Sequence, residues 1–304
     1  MAISAKDVQV LREKTGVGMM ECKKALVATD GDMEKAVEYL REKGLAASIK
    51  KGDRIAAEGA AYAAVIDGVG VVVEVNAETD FVGKNEKFVE FVHGVAAAVA
   101  KENPADLDAL MAAPFGNGRS VQEEQQEMVL VIGENIKVRR FARFDTGVSV
   151  AYVHAGGKIG VLVNFEADVP AEAVEAVGKD VAMQIAAMNP RFWDKSQVDD
   201  ATLEEEKKIM LVQMENDPKM ASKPEKVKEG IIVGKLRKFY EENCLLQQDF
   251  VKDGSMSVEQ YVAAEAKKAG GAITFKNAVR FEKGEGIEKR QENFAEEIAK
   301  QLQK

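Results

Sequence analysis

Glu74-Val75-Asn76-Ala77-Glu78-Thr79-Asp80-Phe81-Val82-Gly83-Lys84-Asn85 is the stretch from which the fold of this chain is read. The apolar run Val71-Val72-Val73 leads into it and a helical pattern from about Glu86 to Lys101 leads out, which makes it a strand-to-helix corner. Turns normally carry small polar residues. Here a carboxylate, Asp80, stands beside a large aromatic, Phe81, which must either tuck into the core or point at something outside the chain.

Working outward, the same pattern occurs twice. Gly70-Val71-Val72-Val73-Glu74-Val75-Asn76-Ala77 aligns with Gly160-Val161-Leu162-Val163-Asn164-Phe165-Glu166-Ala167. Each copy follows an apolar strand (Ala63 to Ile66, Val150 to Val153) and a glycine turn, then runs through an Ala/Val-rich helix to Asn-Pro, at Asn103-Pro104 and Asn189-Pro190. The predicted fold class is therefore α+β: a duplicated core of antiparallel strands with covering helices. The alternating Val138 to Phe144 adds a third strand, preceded by a helix from Gln122 to Val131 and the loop Ile132-Gly133-Glu134-Asn135-Ile136. The corners differ. The second copy carries Asp168-Val169-Pro170 where the first carries Thr79-Asp80-Phe81-Val82, so only the first has an exposed-looking aromatic.

The remaining segments frame this core. Residues 4–43 read as three short helices, broken at Thr15-Gly16-Val17-Gly18 and at Asp30-Gly31-Asp32, with Ala36, Val37 and Leu40 as the buried face of the third. With a linker or a short exposed helix at residues 44–58, they predict a three-helix, ubiquitin-associated-like module over 1–54. Residues 55–147 form the first core subdomain, and 148–198 with 241–282 the second. Residues 199–240, charged and broken at Asn216-Asp217-Pro218 and Lys223-Pro224, predict an inserted coiled-coil hairpin with a seam of Leu203, Ile209, Met210, Val227, Ile231 and Leu236. Such a seam is buried against itself or against a second chain, so a homodimer contact or a 2:2 assembly is an open expectation. Residues 283–304 add a turn and an amphipathic C-terminal helix, with Phe294, Ile298 and Leu302 every four residues. Residues 103–120 receive no role.

Composition limits the function classes. The net charge of -9 argues against direct nucleic-acid binding, which needs a basic surface. Residues 1–54 carry 11 basic and 9 acidic side chains, so the surplus of negative charge lies in the remainder. No apolar window reaches membrane-span length and the N-terminus has no apolar signal core, which predicts a cytoplasmic chain without membrane contact. Cys22 and Cys244 stand alone, and with only His93 and His154 beside them no zinc set is formed. No phosphate-binding loop, dinucleotide fingerprint or nucleophile elbow is present. An enzyme is not expected, nor a cofactor or a metal; a protein partner is. From helix count alone, the front module also fits a generic binding adaptor.

The residues that carry a family likeness are Leu11-Arg12-Glu13-Lys14-Thr15-Gly16-Val17-Gly18-Met19-Met20-Glu21-Cys22-Lys23-Lys24-Ala25-Leu26 and Glu74 to Val82. They resemble the two hallmark stretches of bacterial elongation factor Ts, the guanine-nucleotide exchange factors of elongation factor Tu. The likeness extends through Ile132-Gly133-Glu134-Asn135, the hairpin and Gly284-Glu285-Gly286-Ile287-Glu288-Lys289. Ala77 and Gly83 depart from it, since the family usually has Cys or Ser at the first position and Ala or Ser at the second. The resemblance implies that Asp80 and Phe81, shaped by Thr79 and Val82, dislocate Mg²⁺ from the partner. It also implies that Lys23, Ile132, Gly133, Glu134 and His154 touch the partner. From the residues alone, the plainer readings are favoured: Lys23 as a solvated charge, Ile132 as a buried loop anchor and His154 as a hydrogen-bonded strand end.

Overall fold

The computed structural model describes residues 3–288. The helix expected between Gln291 and Gln303 lies outside the described residues. Three helices open the chain: α1 (Ala5–Thr15), α2 (Met19–Ala28) and α3 (Met33–Lys51). Ser4 and Asp7 form a capping box at the start of α1, and the carboxylate of Asp32 accepts from two amides at the start of α3. Their core is Val8, Leu11, Cys22, Leu26, Ala36 and Leu40. Of the two readings of 44–58, a linker or a short exposed helix, the first half takes the helical one, as a continuation of α3 to Lys51. The small residues there, read as a loss of periodicity, permit close packing on α6 (Val121–Ile132). A Cβ at Gly44 would lie 3.1 Å from the Gln126 carbonyl oxygen.

The first sheet is β1 (Glu58–Ile66), β2 (Val69–Ala77) and β3 (Lys137–Phe144), antiparallel in that order. Between β2 and β3 lie a 3-10 turn (Val82–Lys84), α4 (Glu86–Glu102), α5 (Leu107–Ala112) and α6. The second sheet is β4 (Val148–His154), β5 (Ile159–Ala167) and β8 (Ile273–Glu282), again antiparallel. Between β5 and β8 lie α7 (Ala171–Met188), α8 (Asp200–Glu215), α9 (Pro218–Ala221), α10 (Glu225–Asn243), the short pair β6 (Asp249–Phe250) and β7 (Asp253–Ser257), and α11 (Val258–Ala269). The duplication extends to irregularities: β2 bulges at Glu74/Val75 against β3, and β5 at the matching Asn164/Phe165 against β8. Both long helices end on an asparagine in left-handed conformation, Asn103 and Asn189.

Each sheet buries one face under its helix. Phe88, Val92, Val95 and Val99 of α4 join Val71, Val73 and Val75; Val174, Val177, Val181 and Ile185 of α7 join Val161, Val163 and Phe165. The other two faces pack on each other through Ala61, Ala63, Val72, Leu162 and Phe281, giving a helix, sheet, sheet, helix order of layers. Small residues set the approach. A Cβ at Gly160 would lie 3.2 Å from the Ala61 carbonyl carbon, one at Gly70 would lie 2.5 Å from Ser149, and the Ala61 amide donates to the Gly157 carbonyl at 2.8 Å.

Two further regions acquire roles. In 103–120, Phe115 stacks on Phe91 at 5.7 Å and fills the space left by Gly94, whose added Cβ would strike the Phe115 ring. In the hairpin, α8 and α10 bury Met210, Met214 and Phe239, with Leu203 and Leu236 packed beside them. Ile209 and Val227, placed in the seam by the sequence, are exposed at 46% and 44%. Met210 and Met214 are a full turn apart on one face, and Ile209 sits about 100° around the helix from Met210. Cys244 closes the base of the hairpin as a free thiol, which burial raises to about 11.

One charge is fully buried where the sheets meet. The Glu74 carboxylate accepts from Asn76 Nδ2 (3.0 Å), Arg139 Nη1 (3.0 Å), Arg140 Nε and the Gly284 amide (2.8 Å). It thereby ties the turn after β8 to the first sheet. Burial alone raises its pKa, but these donors outweigh burial and hold the group below the ordinary 4.5. A carboxylate depressed in this way contributes stability above its unfolded pKa and loses it as pH falls through the lower folded value. Removing it leaves two guanidiniums without their shared anion, so Glu74→Gln should cost about 3 kcal/mol at pH 7. In urea unfolding, the gap to wild type should narrow as pH drops below about 4.5. A gap that stays constant with pH would show that the charge of Glu74 is not what stabilises. Gly70→Val should cost about 1–3 kcal/mol in the same assay by forcing the sheets apart, and an unchanged midpoint would contradict the close approach.

Candidate functional site

The corner between β2 and α4 is built by local rules. Asn85 caps α4 with its side chain, accepting from Lys87 N at 3.0 Å and Phe88 N at 3.4 Å. Ahead of it, Val82–Lys84 forms a 3-10 turn closed by Lys84 N to Phe81 O at 3.2 Å. Gly83 therefore lies in this turn and not in the first turn of the helix. A Cβ there would come within 2.9 Å of the Gly59 carbonyl oxygen, so the turn lies against β1. Val82 is buried in the first core and pins the corner from beneath. Its neighbour points the other way: Phe81 is 82% exposed, the most exposed of the large apolar side chains in the described residues. Thr79 and Asp80 are exposed with it.

A second layer of contacts holds the corner from the side. Glu134 Oε2 accepts from the amides of Glu78 and Thr79, both at 3.0 Å, and Oε1 accepts from the Thr79 hydroxyl at 2.7 Å. In return, the Asn135 amide donates to Glu78 Oε1 at 2.7 Å. The Asn135 side chain donates to the carbonyls of Gly52 (3.3 Å) and Arg54 (2.8 Å), and Lys51 donates to the Gly133 carbonyl. Desolvation, then the neighbouring Arg54, pulls Lys51 below the usual lysine range. The Lys87 ammonium donates to the Gly16 carbonyl at 3.2 Å, adding a tie between the front module and α4.

The expected site residues separate into groups. Thr79 and Glu134 are brought into direct contact. Glu134, expected to face a partner, has both carboxylate oxygens engaged by the corner. Gly133 is the left-handed C-cap of α6, at φ 86°, and Ile132 is half-buried against the first core. Lys23 is exposed on α2 and His154 is exposed at the end of β4, with its Nδ1 2.9 Å from the Tyr152 hydroxyl. His93 stacks on Tyr62, with centroids 4.4 Å apart. These two rings help line a groove of about 120 Å³ with Gly83, Val89, Val153 and Gly157.

Sequence reasoning missed two features. Met19, Met20 and Val27 received no role from the sequence, and they are 52%, 64% and 58% exposed around Lys23, because Cys22, Ala25 and Leu26 fill the module core. Glu78 and Asn135 received no role from the sequence and are members of the network that holds the corner. The arrangement presents a fixed aromatic and further apolar side chains at the surface. Among the described residues, no group of three or more His, Cys, Asp or Glu could hold a metal ion, and no helix is long and apolar enough to cross a membrane.

Known proteins match this sequence along almost its whole length. The family profile described as Elongation factor TS matches residues 78–285. A protein named Elongation factor Ts from Clostridium botulinum (strain Eklund 17B) is 49% identical over 306 residues, covering 99% of this chain and 100% of that protein. One of the same name from Clostridium perfringens (strain SM101) is 47% identical over 302 residues, covering 98% of each, and one from Clostridium kluyveri (strain NBRC 12016) is 45% identical over 307 residues, covering 99% of each. With a profile spanning more than half the chain and relatives matched along almost all of it, this chain belongs to the elongation factor Ts family.

Proposed function

We propose that this chain is a guanine-nucleotide exchange factor for elongation factor Tu, acting in translation elongation in the cytoplasm. It binds the GDP form of its partner, promotes GDP release and stabilises the nucleotide-free form until GTP binds. Membership of the family supports the role. The single structural observation that carries the mechanism is Phe81, 82% exposed on a corner pinned by Val82 beneath and Glu134 beside.

A rigid aromatic costs little conformational entropy to bury in a partner and brings a large apolar area with it. On this proposal, Asp80 and Phe81 enter the partner near its Mg²⁺ and phosphate site. Mg²⁺ demands near-ideal octahedral geometry, so a small displacement of its ligands removes much of its binding energy. The phosphate charge it offset is then unbalanced, and GDP leaves faster. No bond is made or broken. Because binding free energies are reciprocal, whatever affinity the factor removes from the nucleotide, the returning nucleotide removes from the factor. Lys23, with Met19, Met20 and Val27 exposed around it, together with Ile132, Gly133 and His154, supplies further partner contacts.

Release of a fluorescent GDP analogue from elongation factor Tu, followed with and without the protein, tests the role. The wild-type chain should accelerate release severalfold or more. Phe81→Ala should lose about 2 kcal/mol of that effect, roughly a thirtyfold slower release at equal concentration. Equal rates for wild type and variant would remove Phe81 from the mechanism.

A further inference from the structure

The two halves of the core close their corners with the same link. In the first, the Glu78 carboxylate, one residue beyond β2, accepts from the Asn135 amide at 2.7 Å. In the second, the Asp168 carboxylate, one residue beyond β5, accepts from the Ala272 amide at 2.5 Å. The loops that donate are equivalent, since each follows a helix ended by a left-handed glycine, Gly133 after α6 and Gly270 after α11. Asn135 thus matches Ala272, and Glu134 matches Gly271. At Gly271 a side chain has no room, because a Cβ would strike the Asp168 carboxylate.

The fold therefore closes this corner with one carboxylate and one amide. Glu134 returns a second carboxylate to the corner, and only in the copy that carries Phe81. Its three bonds fall on the two residues immediately before Asp80: the Glu78 amide, the Thr79 amide and the Thr79 hydroxyl. Bonds to a charged acceptor are the stronger kind, and a carboxylate gripping two successive amides fixes the direction in which the chain leaves them. Val82 is buried and fixes the other side. Asp80 and Phe81 are held between two anchors, one made by packing and one by Glu134.

We propose that Glu134 is a positioning residue for the Asp80-Phe81 wedge: it does not itself bind the partner, and it sets the direction in which Phe81 is presented. It acts within the exchange role proposed above. Losing the grip lowers the rate of GDP release reached at saturating factor, while the factor concentration giving half that rate stays close to wild type. Glu134→Gln keeps most of the grip. Its carbonyl oxygen accepts from both amides and its NH₂ donates to the Thr79 hydroxyl, which accepts as readily as it donates.

A double-mutant cycle on GDP-analogue release from elongation factor Tu, using the full chain, reads this out. Glu134→Ala should slow saturated release roughly tenfold, the scale of losing hydrogen bonds to a charged group. Glu134→Gln should stay within about threefold of wild type. In the Phe81→Ala background, Glu134→Ala should change the rate by less than about twofold, because a residue that works through Phe81 has nothing left to position. If the two losses multiply, or if Glu134→Ala matches wild type, Glu134 does not act through the wedge. A Glu134→Ala chain that fails to fold also overturns the proposal, since the second corner closes without such a carboxylate. A wild-type chain that leaves release unchanged overturns the exchange role, and the positioning role with it.

Discussion

A carboxylate one residue past a central strand accepts the amide of the loop that enters the next strand, and this happens twice, at Glu78 with Asn135 and at Asp168 with Ala272. Each link fastens the end of a central strand to the segment that becomes the third strand of the same sheet. The covering helices α4 and α7 leave from these corners, so the link also fixes where each helix begins. At the first corner the bond is part-buried, so losing it would leave the amide and the carboxylate in need of other partners, at a cost comparable to a lost hydrogen bond; at the second corner both groups are exposed and water can replace it.

With both corners fixed, the two sheets pack through alanines and glycines, and the only acidic side chain buried at their junction is Glu74 among the described residues. Its partners come from β2, β3 and the turn after β8, so one charge joins both subdomains. The front module is joined at the other end of the same network. The last turn of α3 reaches the Gly133-Glu134-Asn135 loop through Lys51, Gly52 and Arg54, and that loop grips the corner. The surface of α2 around Lys23 and the ring of Phe81 are therefore held in one frame.

Most of the fold was legible in the sequence because its signals are local or repeated. The duplication was visible in Gly70 to Ala77 against Gly160 to Ala167, and the structure places these segments at the centres of the two sheets, with bulges at matching positions. What the sequence hid were choices made by packing. Gly44 to Lys51 read as a linker or a short exposed helix, and not as part of α3, because close helix contact favours small residues, which erase the apolar period. Ile209 lost its place in the hairpin to Met210 and Met214, since neighbouring apolar residues on a helix offer two nearly equivalent seams. Met19, Met20 and Val27 are apolar residues on a helix whose core positions were already filled. Glu134 was legible as a candidate partner contact, but its bonds to the corner were not, because Glu78 and Thr79 lie more than fifty positions away. Phe81 was legible from comparison alone: the second corner closes without an aromatic, so the first has no structural need of one.

That last point decides whether Phe81 is there for the fold or for a partner. The urea unfolding free energy of Phe81→Ala, set against wild type, separates the two. An outward ring held on a corner anchored elsewhere predicts a difference within about 0.5 kcal/mol, as for a surface substitution. A loss of about 3–5 kcal/mol, as for truncating a buried phenylalanine, would contradict it and return Phe81 to the core.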